Sequence, residues 1–137
     1  MPSNSAESHN SLTSKIIAAA IEVHRRLGPG LLESAYEACL AYEIRKRGFK
    51  ALCQVSLPVV YDELELDVGY RIDVLVDDQV IIELKAVKSI LGEHVAQLLG
   101  YLRSSRVEHG VLMNLGASRF FIKKYVMSED AHTADIP

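Results

Sequence analysis

Cysteine is scarce in this chain and tryptophan is absent: only Cys39 and Cys53 occur among 137 residues. Two thiols cannot build a disulfide framework, and without a C-x-x-C spacing they do not suggest a zinc or iron–sulfur site. Buried or inert thiols are expected instead. No uninterrupted apolar stretch approaches the ~20 residues that cross a bilayer. The opening MPSNSAESHN also lacks the basic and then apolar order of a secretory signal. The expectation is a soluble, cytoplasmic protein without a membrane partner. An excess of one charge is missing too, since 15 Lys and Arg stand against 18 Asp and Glu for a net charge of −3. No global field therefore draws the chain to nucleic acid, which counts against a large non-specific DNA-binding surface. Phosphate contact depends on local charge, and that criterion stays open.

The chain has enough apolar residues, 49%, to close one core, and its length fits a single domain. Residues 1–10 and 128–137 are polar and aperiodic and are expected to be mobile ends around a domain at 11–127. Charge is uneven inside that domain. Asp62, Glu63, Glu65, Asp67, Asp73, Asp77 and Asp78 face only Arg71 within residues 62–78, whereas Arg25, Arg26, Arg45, Lys46, Arg47 and Lys50 lie earlier. A polyanionic substrate should avoid the acidic segment.

Apolar spacing predicts a helix from Leu12 to Leu27 carrying Ile16, Ile17, Ala20 and Ile21, which Gly28-Pro29-Gly30 stops. A second helix, with Leu32, Tyr36, Leu40 and Ile44 as its stripe, runs to about Arg47 before Gly48. Three strands follow over Gln54 to Tyr61, Leu64 to Val76 with a kink at Gly69, and Val80 to Leu84. A third helix from Gly92 to Ser105 buries Val95, Leu98, Leu99 and Leu102. Strands at Gly110 to Leu115 and Phe120 to Val126 complete an αα-βββ-α-ββ order, which implies an α/β fold with helices packed on a mixed sheet.

The segment YRIDVLVDDQVIIELKA, Tyr70 to Ala86, carries the chemistry. A three-residue turn at Asp77-Asp78-Gln79 sets Val76 opposite Val80, Val74 opposite Ile82 and Ile72 opposite Leu84, an all-apolar face. The other face then holds Leu75 with Ile81, Asp73 with Glu83, and Arg71 with Lys85. A two-residue turn mixes the faces and is rejected. Two carboxylates side by side repel unless they share a hard divalent cation such as Mg²⁺. Lys85, on the same face as Glu83, is placed to orient or deprotonate a water and to stabilise charge on a phosphate, with Arg71 as a second cation. Read from the strand alone, the four charges fit a solvated ion-pair lattice equally well.

The spacing Asp73, nine residues, Glu83-Leu84-Lys85 resembles the D…(D/E)-x-K signature of the PD-(D/E)xK nucleases, with Ile72 in place of the proline. Gly30-Leu31-Leu32-Glu33-Ser34-Ala35-Tyr36 reads as G-x-x-E-x-x-Y, and the third helix carries Gln97-Leu98-Leu99-Gly100-Tyr101. Together these resemble the GxxExxY proteins, a branch near the RecB-like nucleases, over roughly Leu12 to Val126. The resemblance implies the restriction-endonuclease-like fold and assigns roles. Asp73, Glu83, the Leu84 carbonyl and Glu33 would hold Mg²⁺, with Mn²⁺ a substitute. Lys85 would be the catalytic lysine. Gln97 and Tyr101 would orient ligand or phosphate. Tyr36 and Gly30 read as structural, as do His24 and His94. Asn114 and Gly116 read as shaping the end of their strand.

The expected activity is phosphodiester hydrolysis of nucleic acid by a metal-activated water, in a setting such as DNA repair, with DNA favoured over RNA as substrate. So short a chain leaves little surface for reading sequence, and a protein partner, a homodimer or a structured substrate is expected to supply specificity. The alternatives are a non-catalytic nucleic-acid-binding or assembly module that keeps the fold, and hydrolysis of a small phosphate ester.

Overall fold

The computed structural model describes residues 5–127, so the expected mobility of residues 1–4 and 128–137 lies outside it. Helix α1 (Ser5–Leu27) and helix α2 (Glu33–Lys46) precede strands β1 (Ala51–Ser56), β2 (Val59–Tyr61), β3 (Leu64–Leu66), β4 (Arg71–Val76) and β5 (Val80–Lys85). Helix α3 (Gly92–Ser105), β6 (His109–Asn114) and β7 (Phe121–Val126) follow. Helix α1 starts earlier than apolar spacing indicates, because its first turns carry no stripe for periodicity to detect, so part of the segment 1–10 is helical. The two long strands expected before β5 each divide in two. Their distal halves, β2 and β3, pair only with each other as a separate hairpin.

The main sheet has the order β1-β4-β5-β6-β7. It is mixed: β5 and β6 are parallel with α3 as the crossover, and the other neighbours are antiparallel. Central β5 is buried from Val80 to Leu84, as a strand covered on both faces must be. One face packs under α1 and α2 through Val74, Val76, Ile82, Leu84, Val111 and Met113. The other packs under α3 through Ile81, Leu112, Leu98 and Leu102.

Helix α1 buries Leu12, Ile16, Ala19, Ala20 and Val23, while Ile21 is exposed. On α2, Tyr36, Leu40 and Ile44 are buried, but Leu32 lies just before the helix and is exposed. Helix α3 buries Leu98 and Leu102 as expected and Tyr101 besides, while Val95 and Leu99 are only partly buried. Cys39 and Cys53 are free and half-buried. Among the described residues no helix is long and apolar enough to cross a membrane.

The β4–β5 turn has the register expected from the apolar pattern, with Val76↔Val80, Leu75↔Ile81 and Val74↔Ile82. Asp77 and Asp78 take φ of 50° and 56°, a left-handed conformation that aspartate tolerates better than most residues. The turn is tied to β1 by the Lys50 amide, which donates to the Asp77 carboxylate at 2.8 Å.

Candidate active site

The β4–β5 ladder stops at Val74↔Ile82, one residue short of the two carboxylates. Asp73 and Glu83 are therefore not the ladder pair that continued pairing requires. The Asp73 side chain instead enters the opening between the strands, where its Oδ2 accepts the Leu84 amide at 2.9 Å. A side-chain oxygen thus replaces a strand carbonyl, and the backbone donor is not orphaned. The pleat alternation also breaks here. Val74 packs under α1 and α2 whereas Ile72 packs in the α3 cluster, against the expectation that both share one face. The same break occurs in neighbouring β1, between Cys53 and Val55. Its cause lies at Gln54, whose φ of 54° is rare for a side-chain-bearing residue in a strand. Such strain persists where the surroundings enforce it, commonly at functional sites. Gln54 uses the twist to donate to the Glu37 carboxylate at 2.6 Å and the Asp73 carboxylate at 3.3 Å.

Glu83 is only 2% exposed, and its Oε1 has no hydrogen-bond partner. Burial, with the Asp73 charge beside it, pushes its carboxyl up to about 8. Burial also raises Asp73, against the lowering effects of the Leu84 amide, Gln54 and Lys85. The ammonium of Lys85 lies 3.7 Å from Glu83 and donates to Gln97 Oε1 at 3.0 Å. Gln97 Nε2 donates in turn to the Tyr101 hydroxyl at 3.2 Å. Gln97 and Tyr101 are one turn apart on α3, so a single helix face supports the lysine. Burial and then the Glu83 charge raise the Tyr101 hydroxyl.

Glu33 opens α2 and lines a cleft of about 330 Å³ with Ser34, Glu37, Gln54, Asp73 and Leu84. Glu37 and Gln54 escape a motif-based reading. The i,i+4 spacing of Glu33 and Glu37 is the signal that places both on one helix face. Burial raises Glu37, which Gln54 partly offsets. The tyrosine that closes the G-x-x-E-x-x-Y segment is structural: the buried Tyr36 hydroxyl donates to the Gly28 carbonyl at 2.6 Å and accepts the Leu31 amide at 3.1 Å. It staples the loop that delivers Glu33. Tyr36→Phe should cost about 1–3 kcal/mol, because two backbone groups lose their partner, and a thermal melt reads this directly. An unchanged melting temperature would show that the staple contributes nothing.

The Arg71 side chain points elsewhere than expected. It lies 3.6 Å from Asp67 and contacts Ser56 Oγ and the Tyr70 carbonyl, because the ladder that would set it opposite Lys85 has already ended. His24 Nε2 is bonded to the Ala117 carbonyl and His94 Nδ1 accepts the Leu91 amide, both fold contacts. Asn114 clamps the loop after Lys85. Its Oδ1 accepts the Val87 and Gly116 amides and its Nδ2 donates to the Val87 carbonyl. Gly116 is needed beside it, since a Cβ there would stand 2.6 Å from the Ala86 backbone.

The donor set suits a hard cation. Glu83 Oε1 is buried and unpartnered, Asp73 adds a second raised carboxyl, and every donor is oxygen. Among the described residues no three His, Cys, Asp or Glu side chains form a metal cluster, so two carboxylates with main-chain oxygen are what the protein offers. The sequence model of the PD-(D/E)XK nuclease superfamily matches residues 10–125. The chain belongs to this superfamily. No curated protein and no solved structure matches it. PD-(D/E)XK membership accounts for the mixed sheet flanked by helices, and the D…E-x-K residues of this nuclease superfamily member lie where its central strands part.

Proposed function

We propose that this PD-(D/E)XK protein is a Mg²⁺-dependent nuclease that hydrolyses phosphodiester bonds, with Asp73, Glu83 and Lys85 as its reaction centre and 11–127 as its single domain. The observation that carries this reading is the buried, unpartnered oxygen of Glu83 beside Asp73, with the Lys85 ammonium at 3.7 Å. Once ionised, that buried carboxyl needs a counter-charge, which a divalent ion held by Asp73, Glu83 and the Leu84 carbonyl would provide. When bound, such an ion supplies Lewis acidity toward a phosphate oxygen and makes water more acidic. Glu33, which lines the cleft beside Asp73, is assigned to the ion through a water and not as a third direct carboxylate.

Lys85 holds a proton at Nζ and presents positive charge to the phosphate as charge builds there. Gln97 fixes the ammonium's direction, and Tyr101 fixes Gln97. Arg71 is assigned to a flanking phosphate, because its exposed pair with Asp67 is weak and readily exchanged. Asp73, Glu83, Lys85, Gln97 and Tyr101 are assigned to binding and positioning and none to covalent attack, so the attack is assigned to water. The G-x-x-E-x-x-Y segment, with Gln97 and Tyr101, supports placing the chain among the GxxExxY proteins near the RecB-like nucleases.

DNA is the favoured substrate. Incubation with single-stranded, duplex and branched DNA and with RNA, in Mg²⁺ or Mn²⁺, tests the reading. Cleavage with either ion but not with Zn²⁺ is expected, since the donors are oxygen. Lack of cleavage of every polymer, together with no binding of either hard ion at millimolar levels, would leave a binding or assembly module.

A further inference from the structure

The reaction centre opens onto a larger depression that the hydrolytic chemistry does not use. It measures about 550 Å³ and lies between α3 and the segments around Leu57 and Tyr70, with Leu57, Val59, Tyr70, Gly100, Gln97 and Tyr101 in its wall. Gln97 and Tyr101 belong to both places, so the groove begins one hydrogen bond from the Lys85 ammonium. Tyr70 is 47% exposed there, and its ring centroid lies 6.0 Å from that of buried Tyr101 at a tilt of 57°. The Tyr70 carbonyl accepts the Leu57 amide at 3.0 Å, which fixes the backbone under this ring. We propose that this groove binds one unpaired nucleobase of the substrate, stacked on Tyr70, next to the phosphate held at Lys85. The proposal rests on the nuclease reading and names the form of substrate it takes.

Charge decides between base and phosphate. The groove lining has no Lys or Arg and one carboxylate, Glu93. The β2–β3 hairpin that Val59 opens carries Asp62, Glu63 and Glu65. The lining itself offers a phosphate no cation, although the Arg103 guanidinium stands 3.9 Å from where a Gly100 Cβ would lie. A neutral, flat base, by contrast, gains stacking on an aromatic face and burial against Leu57 and Val59. Polar groups for a base edge are present: Ser104 and Glu93 line the groove, as does His94. His94 Nδ1 accepts the Leu91 amide, so the neutral ring carries its proton on Nε2. The sugar–phosphate chain then runs on the Lys85 side and only the base turns in. A fully paired duplex cannot supply such a base without unpairing.

The test is a binding measurement without cleavage. A fluorescein-labelled phosphorothioate oligothymidylate of about twelve nucleotides is titrated in Ca²⁺, alone and annealed to its complement, and followed by anisotropy. The parent should bind the single strand more tightly than the duplex. Tyr70→Ala should weaken single-strand binding about tenfold and leave duplex binding unchanged, and Tyr70→Phe should restore it. Gly100→Leu provides an independent variant. A Cβ at Gly100 meets nothing closer than the Arg103 guanidinium at 3.9 Å, so a leucine there fills the groove while the helix is kept. It should cause the same selective loss. Single-strand affinity unchanged in both variants overturns the proposal and assigns the groove to another ligand, such as a peptide. Equal loss for strand and duplex overturns it as well. A protein that cleaves but ignores Tyr70 refutes only this inference; one that binds through Tyr70 but never cleaves refutes only the nuclease reading.

Discussion

Lys85→Ala should fold like the parent and cleave at least about a hundredfold more slowly at matched Mg²⁺, the typical loss when one preorganised group that meets developing charge is removed. The stability effect is small for reasons visible in its contacts. The side chain is 16% exposed and makes one hydrogen bond, to Gln97, and one ion pair, to Glu83. Because Glu83 is pushed up to about 8, it is largely protonated at neutral pH in the metal-free protein, and little charge is left unpaired when the lysine goes. A cost near 1 kcal/mol is expected, that of an ordinary hydrogen bond. Lys85→Arg should not restore the rate, because a forked guanidinium cannot occupy the point-charge position that Gln97 fixes. Leu84→Ala is the opposite control. Leu84 is 1% exposed in the core under α1 and α2, so its truncation costs about 2–5 kcal/mol. Melting curves and single-turnover rates on these variants separate folding from chemistry. Parental cleavage by Lys85→Ala would remove the reaction from this site.

The features that could be read in advance depend on regular periodicity. The limits of α3 and the Val76↔Val80 turn follow from apolar spacing and turn composition, and both stand in the structure as expected. What escapes is where the sheet departs from regularity. Period-two alternation places Ile72 with Val74 and Arg71 with Lys85, but it assumes that every strand residue keeps extended geometry. A positive φ at Gln54, with Asp73 turned into the strand opening, breaks that assumption. Glutamine has no strong left-handed preference, so nothing local in ALCQVS announces the twist. Glu37 and Gln54 are missed for the same reason: Gln54 reaches Asp73, and through its own amide Glu37, only where the strand leaves regular geometry. The exposed Ile21 and Leu32 show the limit on helices, where apolar spacing alone admits neighbours that the true buried face excludes. The carboxylates and lysine were recognisable by residue type and spacing, whereas their support depends on tertiary geometry.

The metal-free protein should lose stability as pH rises from about 4.5 to about 8, the interval between the ordinary and the raised position of Glu83. In that window the folded state keeps the Glu83 proton and the unfolded chain has released it, so the unfolded state binds fewer protons and stability falls with pH. Above the window both states are ionised and the loss is complete. Asp73, also raised by burial, acts in the same direction. Glu83→Gln replaces the carboxyl with a neutral group of similar size. Its metal-free form should therefore melt above the parent at pH 8, with a flatter dependence across the window. The same substitution should abolish Mg²⁺ and Mn²⁺ binding, because the amide supplies no charge to offset dehydration of the ion. In the parent, the cation must displace the Glu83 proton, so affinity should climb with pH and about one proton should be released per ion at pH 7. Calorimetry in two buffers of different ionisation enthalpy counts that proton, and thermal melts with and without Mg²⁺ at pH 5.5 and pH 8 give the linked stability. Stabilisation by Mg²⁺ that is equal at both pH values, or a Glu83→Gln protein that still binds the ion, would remove Glu83 from the ligand set.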